Sequence, residues 1–336
     1  MPPTRGDGNK DPASKHRVED IKNYFDSIAG RWSNHIMSLK EREFDNRTIS
    51  PVLDCIEKIA EQKKDQTFYF LDVGCGSGYW GYKIMNSAYL RGVLMDFKKT
   101  EVWFLDISPL MLEEAKYNPY FYSEYSALSR FMNREKLEFK FVNMDLNDLD
   151  TIEHPHFDFT FFHKVLSMLE YGEDVQKIFS TFSKSTEFLL TSVKSRMYYN
   201  QKIVEYLNEK NRCGESADLA LDGDNYFDIE IPMENTKLIA RQLKDSRWIV
   251  NDDARLGGKN FFEYTYDSYD LERFHKNNYF KIIPSYREGN EKLLFVGKPV
   301  QKLDVKLGAA ERQDWYPLIQ TVAVSRSSPY SSVFPE

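Results

Sequence analysis

Residues 70–84 read FLDVGCGSGYWGYKI, an apolar run that leads into four glycines within eight positions. Two ligand-binding patterns overlap in this stretch. From Gly76 to Gly81 the residues fit G-x-G-x-x-G, the dinucleotide pattern that opens a strand–turn–helix unit. From Asp72 to Gly78 they spell D-x-G-x-G-x-G. The two patterns imply different cofactors, so the choice between them decides the chemistry.

Apolar strand-like runs alternate with helical patterns on both sides of this stretch. The strand-like runs are TFYFLDV (67–73), VWFLDI (102–107), EFKFVNM (138–144), FDFTFFH (157–163) and EFLLTSV (187–193), and the helical stretches lie near 80–90, 109–118 and 171–183. Continuous apolar strands that alternate with helices are typical of a parallel sheet covered on both faces. We therefore predict an α/β fold with a doubly wound, Rossmann-like sheet.

The sequence divides the chain into four parts: a leader, a domain in two pieces, an insertion between those pieces and a tail. Residues 1–17 are predicted to be a disordered leader, and two helices follow, one from Val18 and one from Ser50-Pro51. The domain then comprises 18–194 and 264–300, where FKIIPS and KLLFVG complete a seven-stranded sheet. Residues 195–263 interrupt it without a clear run of buried strands, and we predict an inserted substrate cap there. Residues 301–336 are expected to be a C-terminal tail.

The composition excludes several classes of protein. A net charge of −7 over 336 residues offers no general attraction to nucleic acid phosphates, so nucleic acid is not the expected partner. Three scattered cysteines support neither a disulfide framework nor a zinc site. No apolar run reaches the roughly 20 residues of a membrane helix. Residues 1–15 lack the apolar stretch of a secretory signal, so we expect none. We expect a cytoplasmic protein without a membrane partner.

The position of Asp72 separates the two glycine patterns. A carboxylate is unfavourable beside a pyrophosphate, but it is favourable beside the ammonium and sulfonium groups of S-adenosylmethionine. In the dinucleotide pattern Gly74 has no role, whereas in the second pattern Gly74 and Gly76 both let the backbone approach a ligand. Asp106, at the end of the next strand, can then accept from both ribose hydroxyls. The charges favour methyl transfer over hydride transfer.

Four motifs in order resemble those of the class I S-adenosylmethionine-dependent methyltransferases. They are LDVGCGSG, FLDISPLMLEEAK, VNMDLNDL and FDFTFFHKVLSML, and the earlier KNYFDSIAGRW resembles the N-terminal helix of many small-molecule members. The resemblance covers roughly residues 20–193 and 264–298. It implies S-adenosylmethionine as the cofactor and a Rossmann-like methyltransferase domain.

The resemblance also implies roles for individual residues. Asp72, Gly74 and Gly76 would line the methionine end of the cofactor, together with Cys75 between the two glycines. Asp106 would hold the ribose, and Ile107 would lie against the adenine together with Met144, Asp145 and Leu146. Tyr24 and Trp32 would close over the cofactor. His163 would lie beside the methyl group as a cofactor contact and the candidate catalytic base. Each role has a structural alternative: a backbone cap for Asp72, a turn for Asp145, a tight-turn residue for Cys75, and a hydrogen-bonded core residue for His163, Tyr24 or Trp32.

The inserted segment carries an acidic stretch. Residues 214–235 hold seven acidic residues and neither Lys nor Arg, which predicts either a solvated loop or a cap that attracts a cationic substrate. Within it, DGDNYFDIE hints at a calcium loop, but Phe227 and Met233 stand where an EF-hand needs Gly and Glu, so no metal is predicted.

We therefore predict a methyltransferase that acts on an oxygen or nitrogen atom of a small molecule. A protein or peptide methyltransferase is the alternative, with the insertion as a docking surface. A second alternative, from a different class of function, is an NAD(P)-dependent oxidoreductase or a non-catalytic S-adenosylmethionine-binding protein. The sequence does not specify the oligomeric state.

Overall fold

The computed structural model describes residues 12–36, 39–118, 136–169 and 173–194, together with shorter stretches of the remaining chain. The shorter stretches are 128, 130, 199, 203, 205–206, 208–209, 220–222, 226–233, 236–242, 248–251, 263–264, 266, 270, 273–274, 277, 280–282 and 318–325. The first eleven residues of the predicted leader and the predicted strand KLLFVG lie outside the described residues.

Two long helices precede the sheet, and both begin earlier than the sequence predicts. Helix α1 spans Pro12–Ile36, so the last residues of the expected leader are helical. Helix α2 spans Leu39–Gln62 and contains Pro51 within it. The predicted start of α2 at Ser50-Pro51 is therefore wrong. Ile49 is buried together with Val52, so the apolar face of α2 extends upstream of the proline.

Five parallel strands form the centre of the fold and confirm the doubly wound prediction. They are β1 (Thr67–Val73), β2 (Lys99–Asp106), β3 (Leu137–Asn143), β4 (Phe157–His163) and β5 (Thr186–Lys194). Their order in the sheet is β5-β4-β1-β2-β3. Because the order reverses beside β1, the carboxyl ends of β1 and its two neighbours flank a crevice, where such sheets bind ligands.

Helices cover both faces of this sheet. They are α3 (Tyr79–Leu90), α4 (Pro109–Lys116) and α5 (Glu173–Ser185). On one face, Phe70 and Phe104 are buried in a core that α2 and α3 complete, and on the other, Leu71 and Phe162 pack with α5. Adjacent residues of β1 thus face opposite cores, which explains its continuous apolar sequence.

Two further strands extend the sheet beyond β5. Strand β11 (Phe280–Ile282) pairs antiparallel with β12 (Leu318–Ser325), and β12 pairs antiparallel with β5 from Leu318 to Val324. Residues 318–325 lie in the segment expected to be a tail. They belong to the sheet instead, and the complete burial of Val324 gives the physical reason.

The inserted segment contains a sheet of its own. Strands β6 (Ala220–Asp222), β7 (Tyr226–Met233), β8 (Thr236–Gln242), β9 (Trp248–Asn251) and β10 (Glu263–Tyr264) pair antiparallel in sequence order. The expectation of no clear strands is therefore wrong here. The acidic stretch includes the β6–β7 hairpin and is not one long loop. Ile231, Leu238 and Val250 are buried in a small core of this sheet.

Candidate cofactor and active site

The glycine turn after β1 requires its glycines. Gly74, Gly76 and Gly78 have φ angles of +62°, +53° and +74°, in the left-handed region that side chains rarely adopt. At Gly74 a Cβ would also lie 2.3 Å from Cγ2 of Val165, just after β4. The turn therefore packs directly against the segment that follows His163.

Asp72 lies beneath the first turn of α3. Its carboxylate is buried and accepts a hydrogen bond from the Gly81 backbone N–H at 3.1 Å. Burial raises the pKa of Asp72 well above its ordinary value; the Gly81 hydrogen bond opposes this rise, and the nearby charge of Asp106 adds to it. Asp72 therefore performs the capping role that was the structural alternative, and its negative charge lies directly behind the turn.

Asp106 connects the ends of β1 and β2. Its Oδ2 accepts from the Gly76 N–H and its Oδ1 from the Ser108 N–H, both at 2.8 Å. The side chain is buried, and burial raises its pKa to about 6, although these two backbone hydrogen bonds oppose the rise. The Ile107 backbone N–H also donates to this carboxylate. A carboxylate has about four acceptor positions, so Asp106 keeps capacity for a hydroxyl hydrogen bond from a ligand.

The end of β3 is hydrogen-bonded to the backbone at the end of β2. The Met144 N–H donates to the Asp106 carbonyl at 3.2 Å. The Asn143 amide donates to the carbonyls of Asp106 at 3.0 Å and Ile107 at 2.9 Å. Asp145 caps a short 3-10 helix by accepting from the Asn147 N–H at 2.9 Å, which is the turn role considered for it. Asn143 is a positioning residue that the sequence motifs did not single out.

The half-buried residues Met144 and Leu146 pack against the core on the α5 face. Ile107 is also half-buried. Cys75 is buried, its N–H donates to the Leu105 carbonyl at 3.1 Å, and burial raises its thiol pKa, with the Asp106 and Asp72 charges adding to the rise. A neutral buried thiol fits the tight-turn role. Among the described residues, no group of three or more His, Cys, Asp or Glu side chains could hold a metal ion.

His163 ends β4 inside an aromatic pocket. Its ring lies 4.8 Å from the ring of Trp80 and 5.2 Å from that of Phe161, measured between centroids. Nδ1 is 2.8 Å from the Ser192 hydroxyl, and the buried Nε2 has no hydrogen-bond partner. Burial lowers the pKa of His163 well below its ordinary value, and the charge of Lys164 adds to the effect, so the imidazole is neutral near pH 7.

Helix α1 brings its aromatic residues over the glycine turn. The indole Nε1 of Trp32 lies 3.0 Å from the point that a Cβ on Gly76 would occupy. Tyr24 and Trp32 are half-buried and pack against the cluster of Ile28, Ala29 and Met111, which joins α1 to α4. The structure therefore places Trp32 beside the turn and Tyr24 in the α1–α4 contact.

The described residues predicted for the site thus converge from the ends of β1, β2, β3 and β4. They form a glycine turn flanked by two buried carboxyl groups, at the crevice where open α/β sheets bind their ligands. The chain belongs to the ubiE/COQ5 methyltransferase family, whose family model matches residues 12–202. It is an S-adenosylmethionine-dependent methyltransferase, and S-adenosylmethionine is its cofactor.

Solved structures are similar to this chain at low sequence identity. The magnesium protoporphyrin IX methyltransferase of Synechocystis PCC 6803 with bound S-adenosylhomocysteine is 14% identical, with 91% of this chain and 99% of that chain covered and a TM-score of 0.50, which shows the fold. The plantazolicin methyltransferase BamL, in complex with a triazolic desmethylPZN analog and S-adenosylhomocysteine, is 11% identical, with 94% and 97% covered and a TM-score of 0.46. No curated protein sequence matches the chain.

The described helices include none that is both long and apolar enough to cross a bilayer.

The raised pKa of Asp106 predicts a pH dependence of cofactor binding. The ionised carboxylate is the stronger acceptor of hydroxyl hydrogen bonds, so we expect the ligand to prefer the ionised form and its affinity to fall as the pH falls through about 6. We expect S-adenosylhomocysteine to bind about tenfold more weakly at about pH 5 than at about pH 7. Isothermal titration calorimetry across this range measures the effect. Asp106→Asn, which does not titrate, should remove most of it, and an unchanged pH profile in that variant would assign the dependence to another group.

Proposed function

We propose that the chain transfers the methyl group of S-adenosylmethionine to an oxygen or nitrogen atom of a small molecule. The observation that carries this proposal is the attachment of the inserted sheet beside the carboxyl end of β4. Tyr264 and Tyr266 pack into the core that contains Leu166, and the Tyr266 hydroxyl donates to the Leu169 carbonyl at 2.7 Å. A cap anchored at this edge would cover the crevice at the carboxyl ends of the strands, and an enclosed site of this kind favours small-molecule ligands.

The residues at the strand ends fit the cofactor. Three left-handed glycines form a tight turn whose backbone lies at the carboxyl end of β1, and the buried carboxyl group of Asp72 lies behind them. We assign the methionine end to Gly74 and Gly76 and the ribose hydroxyls to Asp106. We assign the adenine to Met144 and the two residues that follow it, Asp145 and Leu146. The raised pKa values of both carboxyls fit a site in which a cationic ligand offsets the cost of burying charge.

When bound, S-adenosylmethionine supplies an electrophilic methyl carbon whose bond to sulfur breaks, with the electron pair going to sulfur. The chain's own residues then have two tasks. They align the acceptor's lone pair with the methyl carbon and exclude water. An alcohol acceptor must also lose its proton during the transfer, whereas a neutral amine can lose it afterwards.

His163 is the residue we assign to the acceptor, and its hydrogen bonds indicate how it acts. The Ser192 hydroxyl oxygen already accepts from the Lys164 N–H at 3.0 Å, so its proton is free for Nδ1 of His163. We assign the imidazole proton to Nε2 in this arrangement, where it can donate to an oxygen acceptor that keeps a second lone pair for the methyl carbon. A general base at Nε2 would require the other tautomer.

The size of the kinetic effect separates these roles of His163. With the substrate identified, we expect His163→Asn to lower kcat about tenfold, as the loss of one orienting hydrogen bond would. We expect the affinity for S-adenosylhomocysteine to change less than about threefold. His156→Asn, on the segment that leads into the other end of β4, is the control. A loss in kcat of about a hundredfold or more would assign proton abstraction to His163 instead.

The acceptor class is tested with S-adenosylmethionine labelled on its methyl group. The protein is incubated with this cofactor and an extract of its source, and the products are separated by size. We expect label in the small-molecule fraction, in a product heavier by one methyl group. Label confined to protein bands would overturn the small-molecule assignment and favour a protein substrate. The acidic character of residues 214–235 further predicts that the labelled product derives from a cation.

A further inference from the structure

Asp26 joins α1 to the N-terminus of α4. Its Oδ1 accepts from the Ser108 hydroxyl at 2.5 Å, and the Leu110 backbone N–H also donates to this carboxylate. Its Oδ2 pairs with Lys22, one turn earlier on α1, at 2.6 Å. Although burial opposes it, the hydrogen bonds from Lys22 and Ser108 hold the pKa of Asp26 below its ordinary value. A carboxylate from one helix thus caps the start of another.

Ser108 links the Asp26 carboxylate to Asp106 at the end of β2. Its Oγ accepts from the Met111 N–H at 3.0 Å and so caps α4, while its hydroxyl proton goes to Asp26. Its backbone N–H donates to Asp106, which in turn holds the Gly76 N–H. A continuous chain of hydrogen bonds therefore runs from α1 to the glycine turn. The hydrogen bonds to the ionised carboxylates in this chain are stronger than hydrogen bonds between neutral groups.

The same helix covers the turn at the far end of this chain of bonds. The indole of Trp32, six residues after Asp26, lies against Gly76. The apolar contact of α1 with α4 consists of Ile28, Ala29 and Met111, with half-buried aromatic residues of α1 packed against them. The charge-assisted hydrogen bonds of Asp26 add a directional attachment to this apolar contact.

We propose that Asp26 is a positioning residue for the cofactor. It holds α1, and with it Trp32, over the glycine turn, and it fixes Ser108 so that Asp106 is preorganised for the ribose hydroxyls. The inference rests on the assignment of Asp106 to the cofactor. It adds a residue that touches neither cofactor nor substrate and acts through Ser108.

The test measures S-adenosylhomocysteine binding by calorimetry in the full chain. Asp26→Ala is compared with Asp20→Ala, which removes the same charge from an exposed position on the same helix. We expect Asp26→Ala to bind about tenfold more weakly and Asp20→Ala to bind within about twofold of the wild type. Amide hydrogen exchange supplies a second readout, in which S-adenosylhomocysteine slows exchange in residues 21–32 of the wild type and does so less in Asp26→Ala.

A purely structural role would lower the melting temperature of ligand-free Asp26→Ala without changing the affinity of the folded protein. That result, or equal affinities in Asp26→Ala and Asp20→Ala, would overturn the inference. If Asp26→Ala does not fold, Asp26→Asn against Asp20→Asn decides by the same comparison, with a loss of about threefold or more expected. Failure of the wild type to bind S-adenosylhomocysteine would instead contradict the cofactor assignment itself.

Discussion

Asp106→Ala is expected to weaken the binding of S-adenosylhomocysteine by about a hundredfold or more at about pH 7.5. Hydrogen bonds to a charged group contribute about 1.5–3 kcal/mol each, so the loss of two ribose contacts corresponds to about 3 kcal/mol. The substitution also removes the acceptor that holds the N–H groups of Gly76 and Ser108. The glycine turn and the start of α4 then lose their shared anchor.

Two variants separate the ligand contacts from this anchoring. Asp106→Asn keeps one acceptor oxygen and should bind more weakly than the wild type but more tightly than Asp106→Ala. Asp150→Ala removes an exposed acid on the 3-10 helix after β3 and should bind like the wild type. Calorimetry gives the affinities, and thermal melting without ligand confirms that each variant is folded. Wild-type affinity in a folded Asp106→Ala would refute the assignment of the ribose to this residue.

Gly81→Ala is expected to destabilise the fold by about 3 kcal/mol. A Cβ at this position would lie 2.5 Å from Cε1 of Phe104 and 2.7 Å from Oδ2 of Asp72. The Phe104 ring cannot withdraw, because it is fully buried and stacks on Phe141 at 5.4 Å between centroids. Helix α3 must therefore move away from β2, and overpacking of this kind costs about 1–3 kcal/mol. The broken bond from the Gly81 N–H to Asp72 adds to the loss.

Gly30→Ala is the matched control for this substitution. Gly30 is exposed on α1 and a Cβ there would meet nothing within 4 Å, so alanine should stabilise the helix by up to about 1 kcal/mol. Denaturant unfolding of both variants measures the difference. Equal stability of Gly81→Ala and the wild type would mean that the packing of α3 against β2 does not require glycine at position 81.

The local parts of the site could be predicted from the sequence. The strands β1 and β4 match their apolar runs residue for residue, because burial on both faces requires continuous apolar residues. The helix predicted near 109–118 is confirmed as α4, whose start at Ser108 and Pro109 is encoded within a few residues. The glycine turn is likewise encoded in one short stretch.

Contacts between distant segments could not be predicted in this way. The bond between Asp26 and Ser108 joins residues 82 positions apart. Residues 318–325 join the main sheet through pairing with β5, and no local pattern distinguishes that pairing from a packed tail. The inserted sheet was missed for the same reason, because antiparallel strands in a charged segment show their partners only in the folded chain.

The structure of the protein in complex with S-adenosylhomocysteine tests the central claim most directly. We predict that both ribose hydroxyls lie within hydrogen-bond distance of the Asp106 carboxylate. The methionine end should lie over Gly74 and Gly76, and the sulfur should face His163. A ligand bound with its ribose away from Asp106, or with its methionine end away from the glycine turn, would contradict the assignment of these residues to the cofactor.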